Sequence, residues 1–265
     1  MEQALYATNV EKLKSWNTSF SRIYFGNEFC ERLLPSPEEV DATLKFVLEN
    51  NLSFSFVTPY VTDAGLKRIE KLLAIIAERK PESEVIFNDW GILHVLNLKY
   101  PNFEPVIGRL LNKMKRDPRL LIFIDSLPET AIEYFKGLNI NVPIFQNFLK
   151  EKGVKRVEVD NTLQGVKTNF KNLGFNASLY TPYVYVTTSR LCLAISCNVY
   201  GMEDVVGIFP CKKECRKYTS YLKAPVMPVT LIRKGNTVFL KNQEIPKNLE
   251  EIGINRLVIE PEIPL

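Results

Sequence analysis

The sequence predicts an α/β protein, a (β/α) TIM-barrel-like single domain over residues 1–265 with a cysteine-rich C-terminal segment at 189–218. Short β-rich runs alternate with helical patterns, and this alternation is typical of parallel βαβ units. The number of units within 265 residues favours a closed barrel, with the doubly wound open sheet as the alternative. Neither GxGxxG nor GxxxxGK(S/T) occurs, so no motif supports a dinucleotide site.

The first predicted strands are short apolar runs that end in glycine, proline or a polar turn. They cover residues 22–26, 53–57, 84–87 and 105–108. A helix is expected to begin at Ser36-Pro37, where an N-cap precedes proline and two acids, and Asp63 is expected to cap a second helix. Apolar residues then follow at helical spacing in both segments.

The second half of the chain continues the alternation as far as about residue 176. Further strands are expected at 120–125, 154–159 and 256–260, helices at 128–138 and 143–152, and a basic, solvent-facing helical stretch at 109–119. After residue 176 the sequence becomes aromatic and β-rich. Arg233 to Asn236 separates two β-rich runs, which predicts a hairpin.

Composition excludes several classes of protein. The chain has 34 Lys and Arg against 30 Asp and Glu, and a net charge of +4 is too mild to indicate nucleic-acid binding. No apolar run approaches the roughly 20 residues of a membrane span, and the start lacks a signal-peptide pattern. We therefore expect a cytoplasmic protein whose cysteines are reduced thiols or metal ligands. A single His argues against His-based catalysis.

The cysteines give the sharpest functional signal. Four of the five, Cys192, Cys197, Cys211 and Cys215, lie within one short segment, and Cys30 follows an early predicted strand. Lysines and arginines surround Cys211 and Cys215, and positive charge favours the ligating thiolate. Four cysteines without His or paired C-x2-C motifs suit an iron–sulfur cluster. A four-cysteine zinc site and buried, incidental thiols remain open.

Polar residues at predicted strand ends are candidate pocket residues, because the carboxyl ends of barrel strands face the active site. We select Asn88, Asp89 and Arg109, although polar residues there are also ordinary turn chemistry. A guanidinium such as that of Arg109 can hold a carboxylate through two hydrogen bonds.

Four stretches of the sequence resemble one known family. Residues 24–30 are similar to an early strand, glycine and first ligand cysteine, and 87–92 to an Asn-Asp-x-Gly turn. Residues 189–192 and 211–215 are similar to an Arg-Cys element and a closing cysteine pair. Together they resemble the collagenase-like peptidase family (family U-thirty-two), and within it the short UbiV-type members.

The resemblance implies a barrel-like fold and an oxygen-sensitive 4Fe–4S cluster. Its ligands would be Cys30, Cys192, Cys211 and Cys215, all but the first within the cluster-binding segment 189–218, while Cys197 has no counterpart. It further implies a heterodimer with a UbiU-like partner, acting as one subunit of an anaerobic, oxygen-independent hydroxylase in ubiquinone biosynthesis. Prephenate, implied as the oxygen source in related members, is a dicarboxylate that Arg109 would suit, and a quinone precursor would be the acceptor.

The sequence also departs from the family pattern. Peptidase members carry Glu-x-Phe-x-x-Gly before the cysteines, but residues 178–185 lack both the Glu and the Gly, so proteolysis is not expected. A peptidase-family hydrolase and an RNA-base hydroxylation factor, as in related members, remain the alternatives.

Overall fold

Eight parallel strands close a barrel in the order β1-β2-β3-β4-β5-β6-β7-β12, and β12 pairs back with β1. The computed structural model describes residues 1–192, 194–195 and 210–265. The barrel strands are β1 Glu2–Ala7, β2 Arg22–Gly26, β3 Ser53–Val57, β4 Glu84–Phe87, β5 Glu104–Ile107, β6 Arg156–Asp160, β7 Asn176–Thr181 and β12 Ile254–Ile259. The predicted barrel is thereby confirmed over the open sheet.

Helices cover the outside of the barrel between successive strands. They are α1 Pro37–Glu49, α2 Asp63–Arg79, α3 Trp90–Lys99, α4 Glu129–Lys136, α5 Pro143–Glu151 and α6 Phe170–Leu173. The predicted start of α1 is confirmed by a capping box, in which the Ser36 amide donates to the Glu39 carboxylate at 2.8 Å and the Glu39 amide donates to the Ser36 hydroxyl at 3.2 Å. At α2 the cap is Thr62 and not Asp63, because the Thr62 hydroxyl accepts the Gly65 amide. No helix of the described residues is long and apolar enough to cross a membrane.

The predicted strand at 120–125 is wrong. Asp117-Pro118 begins a 3-10 helix instead, Pro118–Ile122, and a second follows at Ile124–Ser126. The Asp117 carboxylate accepts the Arg119 amide, and proline at the first helical position is preorganised for that turn. This local capping outweighs the strand propensity of the apolar run. In the resulting 3-10 helix the Ile122 side chain is largely exposed.

Two barrel strands, β1 and β7, were not predicted individually. The sequence of β1 is rich in Glu, Gln and Ala, which have low strand propensity. The run Asn176–Thr181 mixes polar and apolar residues because Ser178 faces a polar barrel interior, where it meets the Tyr24 hydroxyl. Each of these two strands is hydrogen-bonded to a neighbouring strand on both edges, and this pairing fixes its extended conformation.

A second, antiparallel sheet is inserted between β7 and β12, and therefore begins at the carboxyl end of β7. Its strands are β8 Tyr183–Thr188, β9 Ser220–Leu222, β10 Leu231–Lys234 and β11 Thr237–Lys241, in the order β8-β11-β10-β9. The predicted hairpin around Gly235 is confirmed as the β10–β11 turn. Phe29, which follows β2, packs against Tyr185 of β8 and Phe239 of β11. This sheet therefore covers the mouth of the barrel near β2.

Candidate metal centre

Cys30, Cys192, Cys211 and Cys215 line one cavity of about 70 Å³, which we call the cysteine cavity. They come from three parts of the chain: the loop after β2, the segment after β8 and the segment before β9. All four are free thiols, with Cys215 buried and the others half-buried. The remaining wall is formed by Arg32, Leu33, Arg190, Leu191, Ile195, Gly235, Asn236 and Leu265. Cys197, the residue without a family counterpart, lies outside the described residues.

The loop that carries Cys30 is fixed at both of its ends. Gly26 adopts φ +130°, and a Cβ there would lie 2.2 Å from the Val57 carbonyl oxygen, so only glycine allows the chain to leave β2 here. The Asn27 side-chain oxygen then accepts the amides of Phe29 and Cys30, at 3.2 and 3.0 Å. This Asx turn directs Cys30 to the rim of the barrel.

One asparagine connects two of the cysteine-bearing segments with the β10–β11 hairpin. The Asn236 side-chain amide donates to the carbonyls of Phe29 and Ser189, each at 2.7 Å, and to the Tyr60 hydroxyl at 3.0 Å. The Tyr60 hydroxyl itself donates to the Ser189 carbonyl at 2.8 Å. The loop before Cys30, the chain before Cys192 and the β10–β11 hairpin are therefore tied together at one point. The sequence predicts the hairpin, but no sequence pattern indicates that Asn236 has a role at the site.

Gly235 closes the cavity behind Cys215. It adopts φ +59°, and a Cβ would lie 2.5 Å from Leu265 Cδ2 and 3.0 Å from Cys215 Cβ. The close approach leaves space for the Cys215 side chain and no space for a larger residue at position 235.

Burial and, to a smaller extent, the neighbouring thiols of Cys192, Cys30 and Cys211 together raise the pKa of the Cys215 thiol to about 11, although Lys234 lowers it. Burial also raises the pKa values of Cys30 and Cys192. The basic residues were expected to lower these pKa values, but in the structure desolvation is the larger effect. Four neighbouring thiolates that repel one another are stabilised when they share a bound cation, and ligation displaces their protons.

Backbone amides are directed at the sulfurs. The Lys213 amide donates to Cys211 Sγ at 3.4 Å. The Arg32 amide lowers the pKa of the Cys30 thiol, and the Ala194 amide lowers that of the Cys192 thiol, in each case against the effect of burial. Amide-to-sulfur hydrogen bonds are one of the means by which proteins tune iron–sulfur clusters. The donor set and its amides therefore fit such a cluster.

The same residue types also occur in four-cysteine zinc sites. A tetrahedral site with Zn–S bonds of about 2.3 Å places its sulfurs about 3.8 Å apart. Over residues 1–192, 194–195 and 210–265, no three His, Cys, Asp or Glu side chains converge as ligands of one metal ion do. A cluster of four irons binds each thiolate at a different iron, so its ligands stand further apart.

Arg109, the predicted pocket residue, is fully buried and is bound by carboxylates of the chain itself. Its guanidinium donates to Glu28 at 2.7 and 2.9 Å, to Asp160 at 3.0 Å and to Glu260 at 3.0 Å. The guanidinium also lies 3.8 Å from the centre of the Tyr180 ring. The expectation that Arg109 holds a substrate carboxylate is therefore corrected, because its donors are already used and no solvent reaches them.

The stretch 109–119 was expected to be a solvent-facing basic helix, and this expectation is also wrong. It has no regular helix before the 3-10 helix at Pro118, and Arg116 is buried beside Arg109, donating to Asp160 at 2.7 Å. Both arginines bind the buried Asp160 carboxylate, so their side chains face the interior and not solvent.

Asn88 and Asp89 hold the mouth of the barrel together. The Asn88 side chain donates to the Thr58 carbonyl and accepts the Leu110 amide, both at 2.9 Å. The Asp89 carboxylate caps α3 by accepting the Gly91 amide at 2.8 Å, and it also accepts the Val61 amide. Neither side chain lines the cysteine cavity.

The protein is an eight-stranded parallel barrel with a cavity at its rim that is lined by four thiols. No protein-family model and no curated protein matches the sequence. A solved structure titled "The Structure of the U32 Peptidase Mk0906" aligns over 100% of this chain and 94% of that chain, with 12% identity and a TM-score of 0.49. At this similarity the alignment supports no conclusion about activity.

Proposed function

We propose that this protein is an iron–sulfur protein of the collagenase-like peptidase family, with a 4Fe–4S cluster held by Cys30, Cys192, Cys211 and Cys215. The observation that carries the proposal is that these four thiols, up to 185 residues apart in sequence, line a single small cavity. When bound, the cluster would supply one-electron transfer. The chain would contribute burial, backbone amides directed at the sulfurs, and the guanidiniums of Arg32 and Arg190 beside them.

The cofactor is tested on protein purified without oxygen. We expect a brown protein with roughly four irons and four sulfides per chain, as four thiolates imply. Serine at any one of the four ligand positions should abolish or severely reduce iron retention. Cys197→Ser is the matched control and should keep its iron. A colourless preparation that holds one zinc per chain would refute the cluster.

For the reaction, we propose oxygen-independent hydroxylation in ubiquinone biosynthesis, together with a UbiU-like partner. The UbiV-type resemblance of residues 24–30 and 189–192 supports this assignment, and so does the lack of the peptidase Glu-x-Phe-x-x-Gly stretch. The only His, His94, lies exposed on the outer helix α3. That position offers no general base at the barrel mouth.

Deletion of the gene should block quinone hydroxylation only when cells grow without oxygen, and co-expression with a UbiU-like protein should give a one-to-one complex. Normal anaerobic quinone together with an RNA base that lacks its hydroxyl would move the acceptor to RNA. Peptide cleavage that persists after removal of the four cysteines would instead favour the hydrolase.

A further inference from the structure

Exposed cations surround the cysteine cavity. Arg32 and Arg190 form part of its wall. The segment that carries Cys211 and Cys215 adds further cations between the two cysteines and directly after them. We call this set the basic rim, and its six residues, all exposed, are Arg32, Arg190, Lys212, Lys213, Arg216 and Lys217.

The chain does not neutralise the basic rim. None of its six residues forms an ion pair with another residue in the described part of the chain. Two carboxylates belong to the same segments, but Glu31 accepts the Thr62 amide at 2.7 Å, and the buried Glu214 accepts the Lys212 backbone amide at 3.1 Å. The surface around the cavity therefore keeps a strong positive charge.

The positive charge of the protein is concentrated at this rim. The whole chain has 34 Lys and Arg against 30 Asp and Glu, so the six rim cations exceed its net charge of +4, and the remaining charges nearly balance. A nucleic-acid strand is bound by cations that follow its phosphates along a groove. A compact basic patch on an otherwise balanced chain instead favours a small acidic protein that covers the patch alone.

The thiols do not need all of these cations. Half-buried Lys234, which also forms no ion pair among the described residues, lowers the pKa of the Cys215 thiol and is therefore close enough to offset negative charge there. A cluster held by four thiolates carries a small negative charge, which Lys234 and the two arginines of the cavity wall can balance. Lys212 and Lys217 are not part of that wall, so their charges are available to a partner.

The centre of the basic rim is apolar and close to the surface. Leu191 lies between Arg190 and Cys192, lines the cavity and is 49% exposed. The thiols of Cys30, Cys192 and Cys211 are only half-buried. An apolar centre within a charged rim is the usual anatomy of a protein interface, and electron-transfer complexes are the small, weak members of that class.

We propose that the basic rim docks a small acidic protein that carries one electron, such as a 2Fe–2S ferredoxin, with Leu191 at the centre of the contact. The docking follows from the charges of the rim, whereas the electron transfer rests on the proposed function. In that transfer the reduced carrier loses one electron and the cluster gains it, and no bond forms or breaks.

The test is isothermal titration of anaerobically purified protein with an acidic plant-type 2Fe–2S ferredoxin. We expect binding at an ionic strength of about 0.01 M that weakens at least about tenfold at about 0.15 M, because the Debye length falls from about 30 Å to about 8 Å. At low salt the double variant Lys212→Glu/Lys217→Glu should bind at least about tenfold more weakly, since two attractions become repulsions.

The matched control is Lys155→Glu/Lys171→Glu. It makes the same change in net charge at exposed residues that precede β6 and β7, at the opposite end of the barrel from the cysteine cavity. Its affinity for the ferredoxin should fall by less than about threefold, because the altered charges are far from the rim.

Binding without salt dependence, or equal ferredoxin affinity in the wild type and the rim variant, overturns the proposal. Single-stranded oligouridine RNA that binds as tightly as the ferredoxin also overturns it and assigns the rim to RNA. Reduced ferredoxin should give the iron-loaded wild type the EPR signal of a reduced 4Fe–4S cluster, and binding without this signal overturns the partner's role as an electron carrier.

Iron content is measured in every sample, which separates the two proposals. A wild type without iron that still binds the ferredoxin in this salt-dependent way refutes the proposed function and supports the docking surface. A wild type with full iron that does not bind it overturns the docking surface alone. If the rim variant loses its iron, the salt dependence of the wild type and its preference for ferredoxin over RNA decide the proposal.

Discussion

Replacing Arg109 by methionine should destabilise the protein more than any other single substitution of a charged residue near the barrel mouth. Methionine keeps much of the length of the side chain but removes every donor. Glu28 and Glu260 then lose their ion pairs with Arg109, while Asp160 keeps Arg116. Each of the two keeps one backbone amide donor, from residue 109 to Glu28 and from Tyr183 to Glu260, but neither has another cationic partner among the described residues.

The size of the destabilisation follows from the loss of these buried ion pairs. Removing one partner of a buried ion pair costs about 3–5 kcal/mol, against a total stability of about 5–15 kcal/mol. The Arg109 charge also opposes the effect of burial on both carboxyl groups: burial raises the pKa of Glu260 to about 8 and raises that of Glu28. Without Arg109 both pKa values rise further, so the unfolding free energy of the variant should fall more steeply than that of the wild type as pH increases.

Urea unfolding of the wild type and Arg109→Met at about pH 5.5 and about pH 9.5, on either side of the Glu260 pKa of about 8, measures the effect, with a denaturant dependence of roughly 1–3 kcal/mol per molar urea. We expect a larger loss of unfolding free energy at the higher pH than at the lower pH, where the carboxyl groups left without Arg109 are protonated. Arg119→Met is the control, since Arg119 pairs with Asp117 on the surface, and its transition should not move. The reasoning would be refuted if Arg109→Met lowered the unfolding free energy by less than roughly 1 kcal/mol, or by the same amount at both pH values.

Three further substitutions test the barrel interior and the site. Burial raises the pKa of Glu158 to about 7, so this group contributes a fall in wild-type stability as pH rises from about 4.5 to 7. Glu158→Gln should remove this contribution, up to about 1.4 kcal/mol per pH unit, from the slope measured by urea unfolding, and an unchanged slope would contradict the assignment. At Glu84 burial also raises the pKa, but Arg256 and Arg22 bring it down to about 2, so its contribution is present above about 4.5 and is lost as pH falls. Glu84→Gln should therefore cost about 3 kcal/mol at neutral pH and progressively less below pH 4.5, and a cost that grows on acidification would be inconsistent with this sign. Gly235→Ala should lower iron retention by displacing Cys215, with Gly165→Ala, at another positive φ but in open space, as its control; equal iron in both variants would remove Gly235 from the site.

Much of the architecture could be predicted because it depends on local pattern. The apolar runs of β2, β3 and β4 and the cap at Ser36 are legible in the sequence, since each needs only neighbouring residues. The clustering of Cys192, Cys197, Cys211 and Cys215 in sequence likewise pointed to one site. The predicted barrel placed the Cys30 loop on the face of the other loops, and the family resemblance implied Cys30 as a ligand in place of Cys197.

The sequence alone thus determined the alternation of strands and helices, the barrel class and the residue types available for a cluster. Tertiary structure decided where the charges lie. Arg109 and Arg116 belong to a basic stretch that is typical of a solvated surface, yet both are buried because Glu28, Asp160 and Glu260 arrive from distant strands to neutralise them. Burial and pairing depend on contacts between residues up to 151 positions apart, which no local pattern records.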